Sequence, residues 1–256
     1  MKTSQAQFSY NTNTLLAWAG AFNQIPPTLE KERVIASFYS HLPRVSFLKT
    51  LPLDTTLLEA GAGDGGLISF KSWLDPIRSD LSLWGTSLCH SGHTSNYDFF
   101  VEGRIGQEMP VFPGRATAFI ACHLIEHLES PQTIFDWLKD KLEPCSPVYL
   151  EWPSWHTQYL PRNTELRVKG LMPMTLNFYD DKTHESPLQL KEITKIADEN
   201  GFTIIESGAI GLQYYADLLR DIALSPGCDT PEFLYTMALW QKTYFSSYVK
   251  LMSPYA

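Results

Sequence analysis

The decapeptide LLEAGAGDGG at 57–66 constrains what this chain can fold into more than any other stretch. A short apolar run meets one acid, Glu59, and then four glycines fall within six residues, at 61, 63, 65 and 66. The preceding TTLLEA reads as a buried strand. Glycines at 61, 63 and 65 allow positive φ and let a ligand touch the backbone. The next stretch, LISFKSWL, reads as a helix whose free N–H groups and positive dipole end face the same spot. Strand, glycine bend and helix in that order predict an α/β domain with an anion- or cofactor-binding bend at its first strand.

The remaining chain repeats the alternation. TLEKERVIASFYSHL carries Val34, Phe38 and Leu42 at helical spacing, after a break at Ile25–Pro27. LSLWGTSL, YDFFVEG, ATAFIACHLI, SPVYLEW and FTIIESGAI read as strands, and FLYTMALWQK is expected to supply a seventh. Ser130 and Pro131 mark a helix start, with Ile134, Leu138 and Leu142 along its face. Ser186, Pro187 and Gln189 mark another, closed by Gly201. YYADLLRDIAL reads as an amphipathic surface helix. Alternating strands and helices imply a mainly parallel sheet, with ligands beyond the carboxyl ends of the strands where strand order reverses.

Composition narrows the function. The chain has 256 residues, 44% of them hydrophobic, and a formal net charge of −8. That suits one large domain, or a domain with a small appendage. The acidic balance argues against broad binding to nucleic acid or anionic membranes. No basic-then-apolar leader and no span-length apolar run are present. Cys89, Cys122, Cys145 and Cys228 are scattered without a CxxC pair, so reduced cysteines and a cytoplasmic location are expected.

Gly61-x-Gly63-x-x-Gly66 formally satisfies a dinucleotide fingerprint. However, LWGTSL carries no acid at the second strand's end, where a nicotinamide cofactor's ribose wants one. Glu59, just before the bend, suits a ligand bearing a cationic group, and S-adenosylmethionine (SAM) carries both an ammonium and a carboxylate. LLEAGAGDGG resembles the E/DxGxGxG motif of class I SAM-dependent methyltransferases. FIACHLIEHLESPQTIFDWLKDKLEPCSPVYLEWP is similar to their fourth strand, helix and fifth strand, and FYDDKTHESPLQLKEITKIADENGFTIIESG to the stretch leading into their sixth.

That resemblance covers about residues 55 to 210 and implies a Rossmann-like seven-stranded sheet, mostly parallel with the last strand antiparallel, helices on both faces. It further implies a helical arm or lid at 1–50 and a SAM-binding domain at 51–256, with an acceptor-side insertion near 153–182. SAM is then expected at Glu59, Gly61, Gly63, Gly65, Thr86 and His123. The chain departs from the family at Thr86 and Ser87, where a ribose-binding acid is usual, at Arg104, and at Thr117.

Methyl transfer from a sulfonium is an in-line displacement in which the enzyme aligns the acceptor and excludes water. A hydroxyl acceptor also loses a proton, and an imidazole suits that task. His127 and His184 are the expected bases. The set His123, Glu126, His127 and His184 also resembles the metal-binding set of small-RNA 2′-O-methyltransferases, with His123 in place of a Glu; base or structural roles are preferred, and no metal is expected. Trp152, Trp155, His156, Tyr159 and Tyr179 are candidates for an acceptor wall or for packing. The expected function is methyl transfer to a small-molecule hydroxyl, of a metabolite or sugar. The competing readings are a methyltransferase fold without activity, serving as a binding or scaffold module, and, last, a nicotinamide-dependent oxidoreductase.

Overall fold

The computed structural model describes residues 10–21, 30–107, 111–174 and 176–254, so Ile25–Pro27 lies outside the described residues. The chain divides into two compact units. The larger comprises Tyr39–Ser154, Thr183–Ile210 and Ser246–Ala256, and holds one sheet. Its strands are β1 (Thr56–Ala60), β2 (Ser82–Ser87), β3 (Phe99–Glu102), β4 (Ala118–Cys122), β5 (Pro147–Pro153), β6 (Thr203–Ile210) and β7 (Ser246–Met252). Their order is β3-β2-β1-β4-β5-β7-β6. The β1–β2, β1–β4, β2–β3 and β4–β5 pairs are parallel, whereas β7 runs antiparallel to both β5 and β6. The expected seven-stranded sheet with an antiparallel last strand is present.

Alternation along each strand explains why the inner strands are apolar throughout. Leu58, Phe119 and Ala121 pack on one face with Ile134 and Leu138 of the helix Gln132–Leu138 and Ile193 of the helix Leu190–Glu199. Leu57, Ala118 and Ile120 pack on the other face with Phe47 and Leu48 of the helix Pro43–Thr50. Helices therefore cover both faces, and each central strand buries both sets of side chains. Strand order reverses between β1 and β4, so a crevice is expected at their carboxyl ends.

The smaller unit gathers Met1–Phe38, Trp155–Lys182 and Gly211–Phe245. Leu15, Ala19, Leu160, Leu166, Leu171 and Leu239 form its core. Trp18 donates from Nε1 to Asp217 at 2.5 Å, and the Arg220 and Lys242 cations lie 5.1 and 5.2 Å from its ring. Phe38 meets Tyr215 and Trp240 edge-on.

Three local expectations are corrected. FLYTMALWQK is not the seventh strand: it lies in the helix Pro231–Thr243, which has Pro at its first position, and β7 follows it. LISFKSWL does not form one helix: a 3-10 turn (Gly66–Ile68) and a single turn (Ser69–Ser72) end at extended Trp73. The dipole behind the glycine bend is therefore weak, since few peptide units align. Ser186 does not cap a helix: helix Leu190–Glu199 begins later, with Gln189 at its cap, and Gly201 at φ +80° closes it as expected. Ser130 does accept the Gln132 amide at 3.2 Å, at the start of Gln132–Leu138.

Candidate active site

The glycine bend is fixed to the second strand. The amides of Gly61 and Ala62 both donate to the Thr86 carbonyl, at 2.9 and 3.1 Å. Gly61, Gly63 and Gly65 all have positive φ, at 72°, 57° and 78°. They are not equivalent. A Cβ on Gly65 would sit 2.7 Å from the Thr94 nitrogen and 2.8 Å from the His93 carbonyl carbon, whereas a Cβ on Gly63 would meet no protein atom within 4 Å. Gly65 is glycine because the chain itself passes there; Gly63 opens onto free space.

Glu59 is buried at the carboxyl end of β1, where it accepts a hydrogen bond from the Tyr97 hydroxyl. The tyrosine ring reaches it across Gly85, where a Cβ would lie only 2.6 Å from the ring. Burial pushes the Glu59 carboxyl up to about 8, against the Tyr97 bond and the charge of Arg44, which pull it down. Thr86 is buried as well, and its hydroxyl oxygen has no hydrogen-bond partner. Thr117 sits at the opposite end of the sheet, next to the start of β4, and accepts the Thr56 amide at 2.9 Å. Its departure from the family pattern therefore does not touch the bend.

Beyond β4 lies a chain of buried charges. His123 follows the strand with φ +55°, and its amide donates to the Glu151 carbonyl at 2.8 Å. Its Nε2 lies 3.4 Å from Glu151 Oε1 and its Nδ1 3.5 Å from Glu126 Oε1. Burial lowers the imidazole's pKa, but the two carboxylates outweigh it and raise it to about 9. Glu151 is 0% exposed, accepts from the Tyr149 hydroxyl at 2.7 Å, and faces Arg44 at 3.7 Å.

Glu126 is 1% exposed, and neither carboxylate oxygen has a hydrogen-bond partner. His184 Nε2 lies 4.0 Å from its Oε1, and the His127 and His184 rings are 4.6 Å apart. His127 Nδ1 pairs with Thr183 Oγ1 at 2.8 Å. The segment that carries His184 is stitched across the strand ends. Glu185 N donates to the Glu126 carbonyl at 2.9 Å, and Trp152 Nε1 to the Leu188 carbonyl at 3.2 Å.

The structure thus joins Glu126, His127 and His184, whose ligand-type atoms all lie within 4.8 Å of one another, and leaves His123 outside that group. Trp152 is fully buried in the sheet core. Trp155, His156 and Tyr159 form an aromatic cluster in the smaller unit, and Arg162 lies 5.1 Å over the Tyr179 ring. Sequence reasoning missed Tyr97, Arg44 and the buried role of Glu151. Gly85 inside a strand was the one available signal for Tyr97.

No family profile matches the chain, and no curated protein matches it. Solved structures do. A candidate methyltransferase from Bacillus halodurans is 14% identical, with a TM-score of 0.52 over 84% of this chain and 99% of that one. A mycolic acid cyclopropane synthase, solved with S-adenosylhomocysteine (SAH), is 14% identical, with a TM-score of 0.53 over 99% of both chains. The fold is that of the class I methyltransferases. A geranyl diphosphate C-methyltransferase from Streptomyces coelicolor, solved with Mg2+, geranyl diphosphate and SAH, is 12% identical, with a TM-score of 0.50 over 94% of this chain and 97% of that one. No helix among the described residues is long and apolar enough to cross a membrane.

Proposed function

We propose that this methyltransferase-fold chain binds SAM at the glycine bend and transfers its methyl group to a hydroxyl oxygen of a small molecule. The observation that carries the hydroxyl reading is the convergence of Glu126, His127 and His184 beyond β4, the strand beside β1. The open space at Gly63 suits the amino-acid end of the donor, and Glu59 suits its ammonium. The acceptor oxygen attacks the methyl carbon, the C–S bond breaks with its electron pair left on sulfur, and SAH leaves. The hydroxyl proton passes to His127 or His184, with Thr183 orienting the first ring and Glu126 stabilising the resulting imidazolium. The acidic surface favours an uncharged or cationic metabolite or a sugar, and the four free cysteines suit a reducing cytoplasm.

A metal-assisted version has one specific support: neither oxygen of the buried Glu126 carboxylate accepts a hydrogen bond, and the His123 and His184 imidazoles face it at 3.5 and 4.0 Å. A buried anion without donors is costly, and a divalent cation held with two imidazoles would satisfy it. Such an ion would lower the acceptor hydroxyl's pKa.

The test is SAH release from SAM with panels of alcohols, phenols and sugars. His127→Ala and His184→Ala are expected to cut kcat by about 100-fold with SAH affinity unchanged. Unchanged rates in both variants would remove the base. Loss of turnover on chelation, restored by added cation, selects the metal-assisted version.

A further inference from the structure

One stretch of the smaller unit, RVKGLMPM at 167–174, presents cations and large apolar side chains together. The helix Asn163–Val168 closes at a turn in which Gly170 has φ +83°, and the Leu171 amide donates back to the Leu166 carbonyl at 3.0 Å. Leu166 and Leu171 are both packed in the unit's core. With those two held inward, Val168, Met172 and Met174 stand in solvent, 84%, 62% and 54% exposed. Large apolar side chains clustered in water mark a contact surface.

The charges beside them are unusual for this chain. Arg167 and Lys169 flank Val168 and are exposed as well. In the same unit Lys31, Arg220 and Lys242 are each paired with an aspartate, at 2.6, 2.8 and 3.2 Å. Arg162, Arg167 and Lys169 form no ion pair among the described residues; Arg162 only lies over the Tyr179 ring. The acid between them, Glu165, is turned to the helix start, where it accepts the Thr12 hydroxyl at 3.0 Å and the Arg162 amide at 3.2 Å.

We propose that this turn docks on an anionic lipid bilayer. Val168, Met172 and Met174 dip into the acyl boundary, and Arg162, Arg167 and Lys169 meet the headgroup phosphates. Apolar burial and attraction to anionic headgroups add in such contacts, and unbranched Met side chains adapt to a fluid surface. The −8 net charge opposes approach from a distance. Screening beyond about 8 Å at physiological ionic strength lets the local cations decide at contact. Val and Met offer no rings for stacking on bases, so nucleic acid fits this surface poorly. The docking is independent of the methyl-transfer reading.

The experiment is co-sedimentation of the full chain with vesicles of phosphatidylcholine alone and of equal parts phosphatidylcholine and phosphatidylglycerol. Wild type is expected to bind the mixed vesicles, and to bind phosphatidylcholine far more weakly. Arg167→Gln with Lys169→Gln is expected to weaken partitioning about 25-fold, near fivefold per cation. Met172→Gln with Met174→Gln should weaken it about tenfold through lost apolar burial. All four side chains are exposed, so both variants should keep the wild-type Tm. Absence of wild-type binding to the mixed vesicles overturns the proposal, as does binding that neither double variant weakens. Soluble polyglutamate tests the other polyanion. If it binds as tightly as the vesicles, and the methionine variant binds both as wild type does, the turn is a site for an acidic protein and not for lipid.

Discussion

At the scale of single residues, the most consequential group is Glu59. Its carboxyl titrates near 8 because burial outweighs the Tyr97 hydrogen bond. A raised folded value means that the native chain holds more proton than the unfolded chain between about 4.5 and about 8, so Glu59's contribution to stability is complete below that window and is lost as pH rises through it. Binding a ligand ammonium has the opposite preference, because only the ionised carboxylate pairs with it. SAM affinity is therefore expected to rise from pH 6 to pH 8, with proton release on binding, read by titration calorimetry in buffers of different ionisation enthalpy. Glu59→Gln should abolish that release; a pH-flat affinity would separate Glu59 from the ammonium. The glycines make a second contrast. Gly63→Ala is expected to cost about 1 kcal/mol, from positive φ alone, and to lose SAH binding. Gly65→Ala adds a backbone overlap with His93 and Thr94 and should cost roughly 3 kcal/mol or more in denaturant unfolding.

At the scale of elements, the stretch 183–188 decides the geometry of the site. Sequence placed a helix start at Ser186, because Ser-Pro-x-Gln has the capping pattern. Three tertiary bonds win instead: His127 to Thr183, Glu185 to Glu126, and Trp152 to Leu188. They draw the segment across the ends of β4 and β5, delay the helix to Leu190, and bring His184 to Glu126. Thr183→Val keeps shape and removes the oxygen that orients His127. It is expected to lower kcat about tenfold while leaving SAH affinity alone, and equal losses in both would show a general collapse of the segment. The contrast shows what was legible. The strand alternation and the glycine bend rest on local patterns and could be read, whereas His127 and His184 are linked only by the family resemblance. The partner of Glu59, the bridging of His123 between Glu126 and Glu151 and the late helix start depend on tertiary contacts between separate elements, which no local period records. FLYTMALWQK failed for another reason. A short apolar run fits a buried helix as well as a strand, and the deciding signals were Pro231 at its start and the two-residue alternation of SSYVKLM just after it.

At the scale of the whole molecule, the doubly covered sheet and the −8 charge set what a bound cofactor should do. The smaller unit collects stretches separated by more than a hundred residues, and hydrophobic periodicity reports a buried face without saying which face it meets. The bend, by contrast, joins β1 and β2, two central strands of the larger unit, so a ligand seated there is linked directly to the stability of the sheet. Ligand present at one hundred times its Kd stabilises the native state by about 2.7 kcal/mol. For a chain of this size that raises Tm by roughly 5–10 °C. SAH is expected to produce this shift in differential scanning calorimetry, and NADH none, because β2 ends without the acid that a nicotinamide dinucleotide's ribose requires and Glu59 suits a cation. A shift with NADH alone would turn the bend into a dinucleotide site. A flat response to both would leave a methyltransferase fold used as a scaffold, and the buried Glu126 cluster would then need an explanation outside methyl transfer.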